Sequence, residues 1–255
     1  MSTAPIPQIF SESRRMNRAF RSATRRQYQS VPATFLLEEM GDDMIERLSF
    51  VRHEPRASLV IGTCPRPLAN HLRSDNAMLM VSATANPAEP LPGGPYDFIG
   101  VIGQLDAVND LPGALIHVRN ALKPGGLVIA SFLGGQSLSS LRAAMLAAEP
   151  ERPAARIHPM VDARAAPALL QRAGWKDPVV DTHSMTVRYA SLDRLVSDLR
   201  DQGLGNALAK PAAPLGKAAL GRARAAFAAR ADADGKTPET FEIVTLTGRR
   251  SLAGT

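Results

Sequence analysis

Cysteine is almost missing: Cys64 is the only one in 255 residues. Neither an internal disulfide framework nor a cysteine-based zinc site is therefore available, and a reducing cytosol, hence a cytoplasmic location, is the expected compartment. No apolar run approaches the length of about 20 residues that a membrane-spanning helix needs, so a soluble protein without a membrane span is expected. The five histidines are scattered without ligand spacing, and metal catalysis is not expected. Asp181 and His183 lie close together, but no recognisable motif supplies the serine or cysteine that would complete a triad. Internal repeats are absent. The first thirty residues almost lack acids, Glu12 being the exception.

What is present begins with size and charge. A chain of this length with 45% hydrophobic residues suits one large α/β domain with a substantial core. Its net charge of +6 and isoelectric point near 10.0 permit an anionic partner without naming one, and a nucleic acid is not expected. The opening segment looks like a transit peptide in composition, yet no clear cleavage signal follows it. Arg14, Arg18, Arg21 and Arg25 are spaced four, three and four apart, so a helix would line them along one face. That face is either a docking surface for an acidic partner, with Arg14, Arg18 and Arg21 as its candidates, or simply solvated.

The most legible stretch runs from Asp97 to Phe132. Phe98–Ile102 is short, apolar and β-rich, which suits a strand buried on both faces. Next, Asn109 or Asp110 can cap a helix, with Asn109 favoured as a cap over a substrate contact; Pro112 sits in the first turn, and Leu111, Leu115, Val118 and Leu122 share a face. Lys123-Pro124-Gly125-Gly126 stops that helix, and Leu127–Phe132 is a second buried strand. Two buried strands joined by a helix form a right-handed crossover, which implies a mostly parallel sheet with helices on both faces.

The flanks fill in around this unit. Residues 34–50 read as an amphipathic helix, Ser58–Ile61 as a strand followed by Gly62, Leu68–Leu72 as a short helix and Met78–Ser82 as a strand. The proline- and glycine-rich stretch 83–95 is irregular. Helices are expected at Ser137–Ala148, Ala163–Ala173, Leu192–Asp201 and Lys217–Ala231. Strand segments are expected at Pro178–Asp181, Met185–Tyr189 and Phe241–Thr247, the last as an antiparallel addition. In such a sheet the loop after the first strand is where a nucleotide-like ligand meets glycines, so Gly62 to Pro67 is the decisive test of ligand binding.

The succession VNDLPGALIHVRNALKPGGLVIASFLGG, HPMVDARAAPALLQRAGW, VVDTHSMTVRY and ADADGKTPETFEIVTLTG resembles the class I S-adenosylmethionine-dependent methyltransferases. Within that class it is similar to the group containing the mitochondrial complex I assembly factor with arginine hydroxylase activity, and more distantly to the malonyl-acyl-carrier-protein methyltransferase of biotin synthesis. The resemblance runs from about Ile9 to Gly248. It implies a Rossmann-like sheet of seven strands with an antiparallel last strand, a basic helical segment over residues 1–50 packing on the core, and a methyltransferase-like domain over 51–255 with a helical insertion before the last strand.

The resemblance also implies an S-adenosylmethionine site at Gly62, Thr63, Cys64, Ser82, Leu105 and Asp106. The family's D-x-G-x-G-x-G loop falls here on Val60, Gly62, Cys64 and Arg66, of which only Gly62 is retained. Pro65 and Pro67 remove two N–H donors, and Ser82 or Thr84 stands where a ribose-binding acid is expected. Leu105 to Asp110 replaces the family's histidine- and tryptophan-bearing segment. Gly134 and Gly135 either admit a substrate or make a turn, while His158 and Asp162 lie in the segment after the helix. No general base is identified. Two functions follow from the resemblance. One is a pseudoenzyme with weakened or lost cofactor binding, acting through a protein partner as an assembly or regulatory factor. The other is an active methyltransferase or arginine-modifying enzyme with an atypical pocket.

Overall fold

The computed structural model describes residues 8–73 and 77–252. Helices α1 (Glu12–Tyr28) and α2 (Phe35–Phe50) precede β1 (Ala57–Gly62), α3 (Arg66–Leu72), β2 (Met78–Ser82) and β3 (Tyr96–Ile102). The chain continues through α4 (Leu111–Ala121), β4 (Leu122–Leu133), α5 (Ser139–Ala148), α6 (Ala166–Arg172) and β5 (Lys176–Tyr189). Helices α7 (Leu192–Asp201) and α8 (Lys217–Ala228) come before the last strand, β6 (Thr237–Arg249).

The strands form one sheet in the order β2-β1-β3-β4-β6-β5. The first four are parallel, and β6 runs antiparallel to both of its neighbours. The α/β class and the antiparallel last strand are as expected. The strand count is not: among the described residues the sheet has six strands rather than seven, because residues 83–95 form turns and irregular chain where a further helix and edge strand would stand. Four of those thirteen residues are proline, two are glycine, and β2 is left as the sheet edge with Met78, Met80 and Val81 exposed. The two segments expected between Pro178 and Tyr189 are a single strand, since pairing with β6 continues without interruption from Val179 to Tyr189.

Alternation of apolar side chains explains the layers. On one face, Leu36, Met40, Met44 and Leu48 of α2 pack with Val60, Phe98 and Ile129 beneath α5, α7 and α8. On the other, Leu115 and Val118 of α4 and Leu170 of α6 cover Ile99, Val128 and Leu246. Each fully buried leucine or methionine contributes about 1.5–3 kcal/mol to holding these layers together. Helix α5 has no capping side chain of its own; the buried Glu239 of β6 instead accepts from Ser140 N at 3.1 Å and Leu141 N at 2.7 Å. Among the described residues no helix is long and apolar enough to cross a membrane.

Candidate functional site

Parallel strands deliver their loops to one edge of the sheet, and in this chain α1 lies across that edge. Its inward stripe is Arg15, Arg18 and Ser22, all buried, with Arg25 and Arg26 half-buried. The stripe expected from spacing was shifted by one residue: Arg18 is inside, Arg14 is half-buried and Arg21 is exposed. Arg18 is thereby removed from the expected partner-facing set.

Each inward arginine meets a different loop. Arg26 Nη2 donates to Thr63 Oγ1, just after β1, at 3.0 Å. Arg15 Nη2 donates to Asn86 Oδ1, in the loop after β2, at 2.5 Å. Arg18 Nη2 donates to Asp106 Oδ1, just after β3, at 3.0 Å, while its Nη1 donates to the Gly205 carbonyl at 2.9 Å. Arg25 and Arg26 also fix the end of α7: Arg25 Nε donates to Asp201 Oδ1 at 2.5 Å and Arg26 Nη1 to the Asp201 carbonyl at 2.7 Å.

Asp106 is the electrostatic centre of this edge. Burial by itself would raise its carboxyl, but the Arg18 guanidinium and His158, whose Nε2 lies 3.2 Å from Oδ2, outweigh that and hold it at about 2. A buried carboxylate with these partners stays ionised. The ring of Phe10 packs edge-on against His158 at 5.7 Å, closing the cluster from the N-terminal side.

The remaining expected site residues are absorbed by structure. Gly62 has φ +100°, and a Cβ there would fall 2.2 Å from the Ile102 carbonyl oxygen. Glycine is thus required by the backbone with or without a ligand. Val60 is fully buried among core aliphatics. Cys64 is half-buried, and burial pushes its thiol up to about 11, so it is a protonated, unreactive sulfur at neutral pH. Ser82 Oγ accepts from Ala85 N at 3.0 Å and only shapes the turn. Leu105 points into the core.

Asn109 is not the helix cap: Asp110 is, accepting from Gly113 N at 2.9 Å. Asn109 instead clamps the N-terminal segment, with Oδ1 accepting from Ile9 N and Phe10 N and Nδ2 donating to the Phe10 carbonyl. The space beside Gly134 is filled by Glu242 and Val244, leaving no substrate approach there. Asp162 caps a short helical turn through Arg164 N. Asp181 pairs with Arg47 and His183 with Glu39, away from Asp106. Among the described residues no group of three or more histidine, cysteine or acidic side chains could hold a metal.

A cavity of about 210 Å³ persists at this edge, lined by Phe10, Arg15, Asn86, Val108, Asn109 and Asp110 among others. Pockets for small molecules and cofactors usually measure about 300–1,000 Å³. Sequence reading missed Arg15, Arg26 and Asn86 because each acts through a contact many residues away. The basic helical pattern was the only signal for the two arginines, and Asn86 had none.

Residues 38–179 match a family model described as a methyltransferase domain. The mitochondrial arginine-hydroxylase NDUFAF5 of Rattus norvegicus is 26% identical over 260 residues, covering 92% of this chain and 76% of that protein. The malonyl-[acyl-carrier protein] O-methyltransferase of Halorhodospira halophila is 28% identical over 261 residues, covering 92% and 87%. A Bacillus halodurans crystal structure assigned to the methyltransferases superposes with a TM-score of 0.50 at 10% identity, covering 81% of this chain and 98% of that one. The likeness at that identity concerns the fold.

Proposed function

The chain belongs to the methyltransferase-domain family, and from that premise we propose that it is a class I methyltransferase-fold protein whose cofactor edge is closed by its own N-terminal helix, acting by binding a protein partner. The observation that carries this reading is the set of three guanidinium contacts from α1 to Thr63, Asn86 and Asp106. These three loops are where a cofactor of this fold would be held, and their polar groups are already bonded to arginine.

The residues present do not fit S-adenosylmethionine. Val60 offers no carboxylate, Cys64 and Arg66 add side chains where backbone would approach, and Pro65 and Pro67 lack N–H groups. Arg15, Arg18 and Arg26 also place positive charge against a positively charged sulfonium.

A protein partner is supported by the outer face of α1. Met16, Phe20 and Tyr28 recur there at multiples of four residues, exposed at 44%, 70% and 78%, with exposed Arg21 directly after Phe20. Large exposed apolar side chains rimmed by charge are typical of docking surfaces. The resemblance seen in the sequence makes an assembly or regulatory role one candidate, and the name arginine-hydroxylase borne by one group of relatives makes a protein that presents an arginine another. The single free thiol Cys64 supports a cytoplasmic location.

Calorimetric titration with S-adenosylmethionine and with S-adenosylhomocysteine tests the closed edge. No saturable heat is expected up to millimolar ligand. Micromolar binding of either would replace this reading with that of an active enzyme having an atypical pocket.

A further inference from the structure

The sheet has two edges, and they are defended differently. The edge at β5 carries Lys176, Asp177, Pro178, Asp181, His183 and Arg188, the kinds of residue that keep an edge strand from pairing with another chain. The edge at β2 reads Met-Leu-Met-Val-Ser, with no charge and no proline. It runs beside β1 without a bulge from Met78 to Ser82. Met78 is 51% exposed and Val81 46%, and the two point to opposite faces of the strand, so neither face of this edge is fully covered.

The free polar groups of β2 can be assigned residue by residue. The N–H and C=O of one strand residue point to the same side, and successive residues alternate. Met78 N donates to the Arg56 carbonyl at 2.8 Å, so Met78, Met80 and Ser82 direct their backbone groups at β1. Leu79 and Val81 therefore turn theirs outward, and among the described residues no other backbone group bonds to them from that side. Such groups form a template for one more strand.

This edge is its own complement. A second β2 laid antiparallel about a twofold axis at Met80 sets Leu79 of one copy opposite Val81 of the other, and the reverse. Each of these pairs exchanges both of its N–H···O bonds, and every outward donor and acceptor of the two copies is satisfied. A shift by one residue would instead set outward groups against residues whose own groups point to β1. In the twofold register Leu79 and Val81 meet their counterparts on one face, where Leu79 already packs on the α2 side of the core. On the other face Met80 meets Met80 as a close pair, and flexible thioethers adapt to each other. No like charges are opposed. A strand of another protein has no need of this symmetry, which favours a second copy as the occupant.

We propose that β2 is the seam of a symmetric homodimer, in which two copies join their sheets edge to edge through Leu79 and Val81, with Met80 on the twofold axis. Such a pair occupies the β2 edge of both copies, so association closes at the dimer. The seam does not depend on whether S-adenosylmethionine binds.

Sedimentation equilibrium of the full chain from about 1 to 100 μM should show the mass rising from 27.2 kDa toward twice that value. Val81→Pro removes one outward N–H per copy and leaves the bonds to β1 in place, as an edge strand allows. It should weaken association at least about tenfold with an unchanged thermal midpoint. Met80→Lys and Met80→Glu each set like charges opposite one another and should be monomeric, whereas an equal mixture of the two should regain the dimer as opposite charges meet. A monomer throughout the range would overturn the proposal and leave the edge to a strand of another chain. So would a folded Val81→Pro protein that associates as before, or a mixture of the two charged variants that stays monomeric.

Discussion

Asp106 shows how far a residue's position in the sequence stops short of its partners in the fold. Its position after a buried strand marked it as a ligand contact, and its carboxylate does sit at the sheet edge, but its partners are Arg18 and His158. No spacing rule brings residues 18, 106 and 158 together; only the folded topology does. The sign of its effect on stability is fixed by its depressed carboxyl. A group lower in the folded than in the unfolded chain stabilises above its ordinary value near 3.9 and loses that contribution as pH falls toward about 2. Unfolding free energy measured in urea should therefore drop between about pH 4 and pH 2, and Asp106→Asn should lack this component of the slope. At pH 7 the same variant leaves Arg18 buried without a counter-charge, and a loss of about 3–5 kcal/mol is expected. An unchanged midpoint would mean that the pair is open in solution.

Among the elements, the strands and helices of the core were legible because burial imposes period: β3 from Phe98 and β4 from Leu127 carry apolar runs, and α4 an apolar stripe through Leu115 and Val118. Helix α1 was legible as a helix, but its inward face was not. Buried arginines look like solvated ones in a sequence, and the stripe through Arg15, Arg18 and Ser22 emerges only from what lies beneath it. The end of this helix rests on Asp201, which accepts from Arg25 Nε and from Ala33 N. Asp201→Asn should loosen α1 without disturbing the sheet. Hydrogen exchange is expected to quicken about tenfold or more at the α1 amides from Arg21 to Tyr28, and to stay unchanged in β3 and β4. Equal acceleration in the strands would mean that α1 and the sheet open as one unit.

For the whole molecule, β6 is decisive, because it lies inside the sheet between β4 and β5 rather than at an edge. Its inner residues Ile243, Val244 and Leu246 contribute to the cores on both faces. A chain ending at residue 236 should show no cooperative thermal transition by circular dichroism, since β5 would lose β6, its one neighbour among the described strands; a sigmoidal melt would show that β1 to β4 fold alone. The missing strand at the β2 side was partly legible, as a stretch too rich in proline and glycine for a strand, whereas the resemblance to seven-stranded relatives pointed the other way.

The contacts of α1 also set a clock. Arg18 bonds to Gly205 and Arg25 to Asp201, partners separated by 187 and 176 residues. At a synthesis rate of about 5–20 residues per second, those partners emerge roughly 10–40 s after the helix that needs them. For that interval Arg18 and Arg25 lack those partners while Arg15 and Arg26 can already meet Asn86 and Thr63, so in a growing chain the helix that closes the molecule is held at first by only part of its contacts.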